Sequence, residues 1–148
     1  MMNLFKKLFG RKAAPKTFTD EQWEQDYELK SRGLEVILGP SHPLVGHALI
    51  PFAVGGAVDM YYYPNHIAGT GFATMEVMEP DGSGPVPNDL GTYELVAFTR
   101  HAIDDERDNE SPYNLIEREI CGIFTTIANY SRTAKLNPHD TCEVPVSE

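Results

Sequence analysis

The most regular hydrophobic pattern in the chain lies between residues 111 and 131. Large apolar side chains recur there at helical spacing, at Ile116, Ile120, Ile123, Phe124 and Ile127. Residues three, four or seven positions apart share one face of an α-helix. Ser111 and Pro112, at the start of this segment, suit the N-cap and the first helical position. The pattern predicts an amphipathic helix over about 111–131 that packs on a sheet.

An earlier helix is predicted to begin after Thr19. Thr19 is a favourable N-cap, and Gln22 three residues later completes a capping-box pattern. Trp23 and Tyr27 are four residues apart, so we expect both rings to share a face and pack inward. A helix commonly ends at a glycine. Because glycines occur at positions 33 and 39, the sequence allows the helix to end near residue 34 or to continue to residue 39.

Between the two helices the chain is rich in strand-forming residues. The apolar and aromatic runs of this region lie at 46–52, 54–63, 67–78 and 92–100, and a further strand is predicted at 141–146. Both faces of the run 92–100 are partly apolar, so we expect it at the centre of the sheet. Short connections favour antiparallel pairing. The sequence therefore predicts an α+β fold, a mainly antiparallel sheet packed by an N-terminal helix and the later helix.

Charge divides the chain into two unequal parts. Five of the 12 Lys and Arg residues lie within residues 1–16, which contain no Asp or Glu. Residues 17–148 contain the other seven basic residues and all 22 acidic residues, so their net charge is −15. We interpret 1–16 as a basic flexible tail and 17–148 as one domain, since 148 residues suit a single domain. The acidic domain would repel a phosphate backbone, which argues against a nucleic-acid partner and favours a basic protein.

The basic tail carries apolar residues at helical spacing, Leu4, Phe5, Leu8 and Phe9, with lysines between them. Neither a signal peptide nor a transmembrane segment fits the sequence, so we expect a cytoplasmic protein. A weak contact with a membrane surface through residues 1–12, a contact with a partner, and no role at all remain open for the tail.

Residues that carry enzymatic or metal chemistry do not form known motifs in this sequence. The five histidines are widely spaced, at His42, His47, His66, His101 and His139. Cys121 and Cys142 are too far apart for a zinc-binding pair. No nucleophile elbow or phosphate-binding loop is present. We therefore expect no catalytic residue, cofactor or metal and no enzymatic activity. Two alternatives remain open: a membrane-surface adaptor anchored by the basic N-terminal helix, and a hydrolase or small-ligand protein that uses His66, Asp59 and the nearby loops.

A candidate partner-binding patch is predicted around the run 58–64. Asp59 is an acid within an apolar run, and we expect it to face solvent or bond a neighbouring loop rather than to be a buried acid with a perturbed pKa. Successive tyrosines along a strand alternate between faces, so at least one should lie outside the core. An outward tyrosine beside an acid would suit protein binding. The candidate residues are Asp59, Tyr61, Tyr63 and Glu94.

Three segments resemble the suppressor of fused-like domain family: VDMYYYP at 58–64, GTGFAT at 69–74 with one spacing change, and YELV at 93–96. The resemblance covers about residues 20–146 and implies a non-enzymatic protein-binding domain. The animal members clamp a peptide between two domains, and this chain has room for only one. Some single-domain bacterial members serve as immunity proteins that neutralise toxins, so the resemblance implies a toxin as one class of partner.

Overall fold

The computed structural model describes residues 16–64, 68–104 and 110–143. These residues form two α-helices, one four-stranded sheet and one 3-10 turn: α1 (Asp20–Leu38), β1 (Val45–Gly46), the 3-10 turn (Phe52–Val54), β2 (Met60–Tyr63), β3 (Thr70–Ala73), β4 (Val96–Thr99) and α2 (Pro112–Ser131). Every neighbouring pair of strands is antiparallel, in the order β1-β2-β3-β4. The predicted α+β class, with an N-terminal and a later helix, is confirmed.

Both helices begin where their capping residues predict. The Thr19 hydroxyl accepts the Gln22 N–H at 3.2 Å, and the Gln22 side chain accepts the Thr19 N–H at 2.9 Å, which completes the capping box. At α2, the Ser111 hydroxyl accepts the Asn114 N–H. Of the two ends left open for α1, the later one is observed, since the helix continues to Leu38 and Gly39 follows with a φ of 82°.

The sheet lies between the two helices, and each of its faces has its own core. Tyr62 and Phe72 face α2, where Phe72 stacks on Tyr113 at 5.9 Å between ring centres. The larger core on this side comprises Phe52, Val58, Met60, Tyr62, Phe72, Val77, Tyr113, Phe124 and Ala128. The smaller core, on the α1 side, comprises Leu38, Tyr63 and Ala73, with Leu34 and Tyr61 packed against it. The alternation of strand side chains thus separates Tyr62 from its two neighbours.

The run 92–100 was predicted to be central, and this prediction is wrong. Its ordered part, β4, pairs only with β3 among the described residues and forms an edge of the sheet. Ala97 packs against the α2 core, whereas Val96 and Phe98 point to the α1 face and are exposed. Apolar residues on both faces therefore reflect one covered face and one face that α1 leaves open.

Two further expectations need correction. Trp23 and Tyr27 were expected to pack inward, but both are substantially exposed, because α1 contacts the sheet through Lys30, Leu34 and Leu38 instead. The predicted strand at 141–146 is not seen at 141–143, and the remaining residues lie outside the described part of the chain.

Candidate partner-binding surface

The carboxylate of Glu94 is held inside the fold by a network of charges. Its Oε1 lies 2.9 Å from the Nζ of Lys30, which also lies 2.7 Å from a carboxylate oxygen of Asp26. The side chains of Lys30, Asp26 and Glu94 are only 6%, 10% and 9% exposed. Glu94 further accepts hydrogen bonds from the Thr74 hydroxyl and from the N–H groups of Val77 and Met78. Glu94 therefore stabilises the fold and is not exposed to a partner.

Lys30 joins α1 to the sheet, and the sequence analysis did not identify it. Besides the two carboxylates, its ammonium group donates to the backbone carbonyls of Met75 and Met78. A buried ion is tolerated only when its hydrogen-bonding capacity is filled in this way. The signal was present in the sequence, since Lys30 falls at i+4 from Asp26 and shares a helical stripe with Leu34.

The two candidate tyrosines of β2 lie on the α1 side and differ in exposure. Tyr63 is fully buried, and its hydroxyl has no hydrogen-bond partner among the described residues. Burial, followed by the charge of Glu35, raises its pKa to about 12. Tyr61 is only partly buried and lies 5.9 Å from the ring of Tyr27. Burial and the nearby Asp59 raise the pKa of Tyr61 above its ordinary value. Both phenols are neutral at physiological pH.

Asp59 bonds a neighbouring loop, as expected. One carboxylate oxygen lies 2.7 Å from Nδ1 of His47, and the other accepts the N–H of Ala48 at 2.8 Å. The Asp59 backbone N–H in turn donates to Glu76 at 2.6 Å. Burial raises the pKa of Glu76, and the charges of Asp59 and Glu94 act in the same direction. The cluster fixes the chain between β1 and β2 against the segment that follows β3.

The exposed side of α1 combines aromatic and acidic side chains that the sequence analysis did not place in the patch. Trp23, Tyr27 and Leu29 are 36%, 44% and 67% exposed. The exposed charged residues of the helix are Asp20, Glu21, Glu24, Glu28 and Glu35, opposed by Arg32 alone. We call this set of residues the α1 outer surface. Tyr61, beside Tyr27, extends it onto the face of the sheet that packs against α1.

Two shallow grooves lie along the α1 outer surface. One, of about 290 Å³, runs between the start of the helix and the turn at Pro80 and Asp81, with Phe18, Gln22 and Leu29 among its lining residues. The other, of about 350 Å³, is lined by Tyr27, Glu28, Ser31 and Arg32. The first groove thus combines the apolar side chains of Phe18 and Leu29 with acidic groups, whereas the second combines an aromatic ring with one acidic and one basic side chain.

A smaller cleft, of about 200 Å³, lies on the α2 side of the sheet, where His47 and Cys121 are among its lining residues. The Cys121 thiol lies 3.8 Å from the Val58 carbonyl, and burial raises its pKa. A thiol in this state is a weak nucleophile, because the thiolate is the reactive form.

Some predictions fall outside the described residues. His66 and residues 1–12 belong to segments that the structure does not describe. Within residues 16–64, 68–104 and 110–143, no three metal-ligating side chains converge, and neither helix has the length and apolar character to cross a membrane.

In comparisons with known proteins, this chain matches no family model, no curated protein and no solved structure.

Proposed function

We propose that this protein is a non-enzymatic, cytoplasmic binding module that captures a basic protein on the α1 outer surface. The observation that carries the proposal is the combination, on one helix, of exposed Trp23, Tyr27 and Leu29 with five exposed carboxylates and one exposed guanidinium. Aromatic side chains supply most of the energy at protein interfaces, and charge complementarity steers the encounter. The same helix is anchored by Lys30, so the surface is presented on a rigid support.

The suppressor of fused-like resemblance supports the same class of function. It suggests neutralisation of a toxin as one specific form, in which the acidic surface would cover a basic region of the toxin. Of the sequence candidates, Asp59 and Tyr61 are partly exposed, and Tyr61 lies beside Tyr27 of α1, whereas Tyr63 and Glu94 are buried and are not part of the proposed surface. The two free cysteines are compatible with a reducing cytoplasm.

The test is capture from a lysate of the native host with a matched pair of charge variants. Glu24→Gln/Glu28→Gln neutralises two exposed acids of the α1 outer surface, and Glu119→Gln/Glu143→Gln neutralises two exposed acids elsewhere. Both pairs change the net charge equally. We expect wild type and the control to retain one basic protein at low salt, and the α1 variant to retain about tenfold less, because local charge pairs set the encounter.

High salt should release the partner from wild type, since screening weakens contacts between exposed charges. Equal retention by both variants would show that the charge of the whole domain, and not the α1 outer surface, attracts the partner. Retention of no protein by wild type at either salt concentration would contradict the proposal itself.

A further inference from the structure

One edge of β4 has no strand paired with it among the described residues. The Thr74 N–H donates to the Leu95 carbonyl at 3.0 Å, so the pairs that exchange hydrogen bonds between β3 and β4 include Ala97 and recur at every second residue. Backbone groups alternate in direction along a strand. Val96 and Phe98 therefore direct their N–H and C=O groups away from β3, toward the open edge.

The same two residues expose apolar side chains on the α1 face of the sheet. Val96 is 41% and Phe98 54% exposed. The Phe98 ring packs over Gly71, its paired residue in β3, where a Cβ would lie 3.4 Å from the ring. Edge strands that stay unpaired usually carry a lysine, a proline or a bulge that blocks association. β4 contains no lysine or proline, and its register with β3 is continuous, so it presents an unprotected edge.

The sequence of β4 is complementary to itself in the antiparallel direction. With a two-fold axis at Ala97, Val96 of each copy lies opposite Phe98 of the other, and the groups at the open edge exchange backbone hydrogen bonds. A β-branched side chain opposite an aromatic ring is a favourable cross-strand pair. Ala97 then faces Ala97 in a non-hydrogen-bonded pair, where strands approach most closely and a small side chain fits. Residues 95–99 are uncharged, so the pairing places no like charges opposite each other.

We propose that β4 binds β4 of a second copy of this chain, so that the two sheets join into one continuous antiparallel sheet about a two-fold axis. The occupant is a second copy because β4 itself supplies both the edge hydrogen bonds and the matching side chains. The net charge of −10 on each chain opposes association, and salt screens this repulsion. The short strand predicts a weak dimer, with a Kd on the order of 10 µM. The proposal uses no residue of the α1 outer surface and does not depend on its function.

Sedimentation velocity of the full chain tests the proposal, over about 1–200 µM protein and at about 0.05 M and 0.5 M sodium chloride. Phe98→Lys replaces the exposed ring of β4 with a charge, as natural edge strands do. Leu49→Lys makes the same change of charge at a residue that is 103% exposed between β1 and β2. Circular dichroism verifies that both variants keep the fold.

We expect wild type and Leu49→Lys to pass from monomer to dimer as concentration rises, and to associate more tightly at high salt. Phe98→Lys should raise the Kd at least about tenfold, because it removes both cross-strand apolar pairs. Wild type that stays monomeric throughout, or equal association of wild type and Phe98→Lys, would overturn the proposal. Salt separates this result from capture of a basic protein, since salt strengthens the dimer and weakens that capture.

A disulfide cross-link tests the register by a gain of signal. In a chain with Cys121→Ser and Cys142→Ser, Ala97→Cys places two thiols at the two-fold axis, where the Cα atoms of the pair lie about 4.5 Å apart. Thr99→Cys is the control, because the same register separates its two copies by about 13 Å along the strand. Mild oxidation should link the first variant into a dimer and leave the second monomeric. No link through Ala97→Cys, or equal linking of both variants, would contradict the pairing.

Discussion

At the scale of single residues, Lys30 joins α1 to the sheet, because it is the cation between two nearly buried carboxylates. Its four oxygen contacts come from α1 itself, from Glu94 and from the backbone after β3. Removal of one member of a buried charge network leaves the others without compensation, which costs more than the network itself contributes.

We expect Lys30→Met to lower the free energy of unfolding by about 3–5 kcal/mol, because Asp26 and Glu94 would then lie close together without a cation. The control is Lys135→Met, which breaks the exposed pair with Asp89 and should change stability by less than about 1 kcal/mol. Urea denaturation followed by circular dichroism measures both. Equal stability of the two variants would contradict a structural role of the network.

Glu76 gives a pH dependence whose sign can be tested. Burial raises its pKa above the value of 4.5 found in an unfolded chain, so at pH values just above 4.5 the folded state binds more protons than the unfolded state does. Stability must then fall with rising pH over that interval. Glu76→Gln removes the effect and keeps an oxygen that can accept the Asp59 N–H. Relative to this variant, wild type should lose stability as pH rises above about 4.5.

The matched control for Glu76 is Glu35, whose pKa is lowered by hydrogen bonds from Ser41. Its folded pKa lies below 4.5, so wild type should gain stability relative to Glu35→Gln as pH rises through the interval below 4.5. Denaturation midpoints at a series of pH values measure both differences. A Glu76 difference with the same sign as that of Glu35 would be incompatible with a buried carboxyl.

At the scale of elements, glycines occupy two different kinds of position. Gly33 lies inside α1, and a Cβ there would meet nothing within 4 Å. Gly69, before β3, has a φ of +120°, and a Cβ would lie 2.0 Å from the Thr99 carbonyl oxygen. The first glycine weakens a helix without a packing reason, whereas the second allows β3 and β4 to pair closely.

Gly33→Ala should therefore raise the free energy of unfolding by about 0.5–1 kcal/mol, since alanine restricts the unfolded chain and favours the helix. Gly69→Ala should lower it by at least about 2 kcal/mol, through backbone strain and the clash with β4. Guanidinium denaturation distinguishes the two. Gly122→Ala, at an open position in α2, should behave like Gly33→Ala; a loss of stability there would contradict the packing argument.

At the scale of the whole molecule, the net charge of −10 destabilises the folded state, because folding brings like charges closer together. The thermal midpoint should rise between about 0.02 M and 0.5 M sodium chloride, because salt screens exposed charges far more than buried ones. A chain that begins at Lys16 loses four basic residues and no acid, so its midpoint should depend more steeply on salt. Differential scanning calorimetry checks both slopes. A midpoint independent of salt in both chains would contradict the expectation.

The sequence alone determined the features that depend on neighbours within one helical turn. The capping box at Thr19, the N-cap at Ser111 and the span of α2 follow from such local interactions. Their physical basis is that each partner lies within three or four residues of the other, so that the chain has few alternative ways to satisfy them.

Only the tertiary structure decided which apolar side chains are covered. The contact between Lys30 and Glu94 joins residues far apart in sequence, and the edge position of β4 depends on where the other strands pair. The exposure of Trp23 and Leu49 likewise depends on whether other segments of the chain pack against them. A residue's own chemistry gives its preference for burial, but the area that is actually removed from water is a property of long-range packing. For this reason the α1 outer surface and the exposure of Leu49 could not be predicted from the sequence pattern.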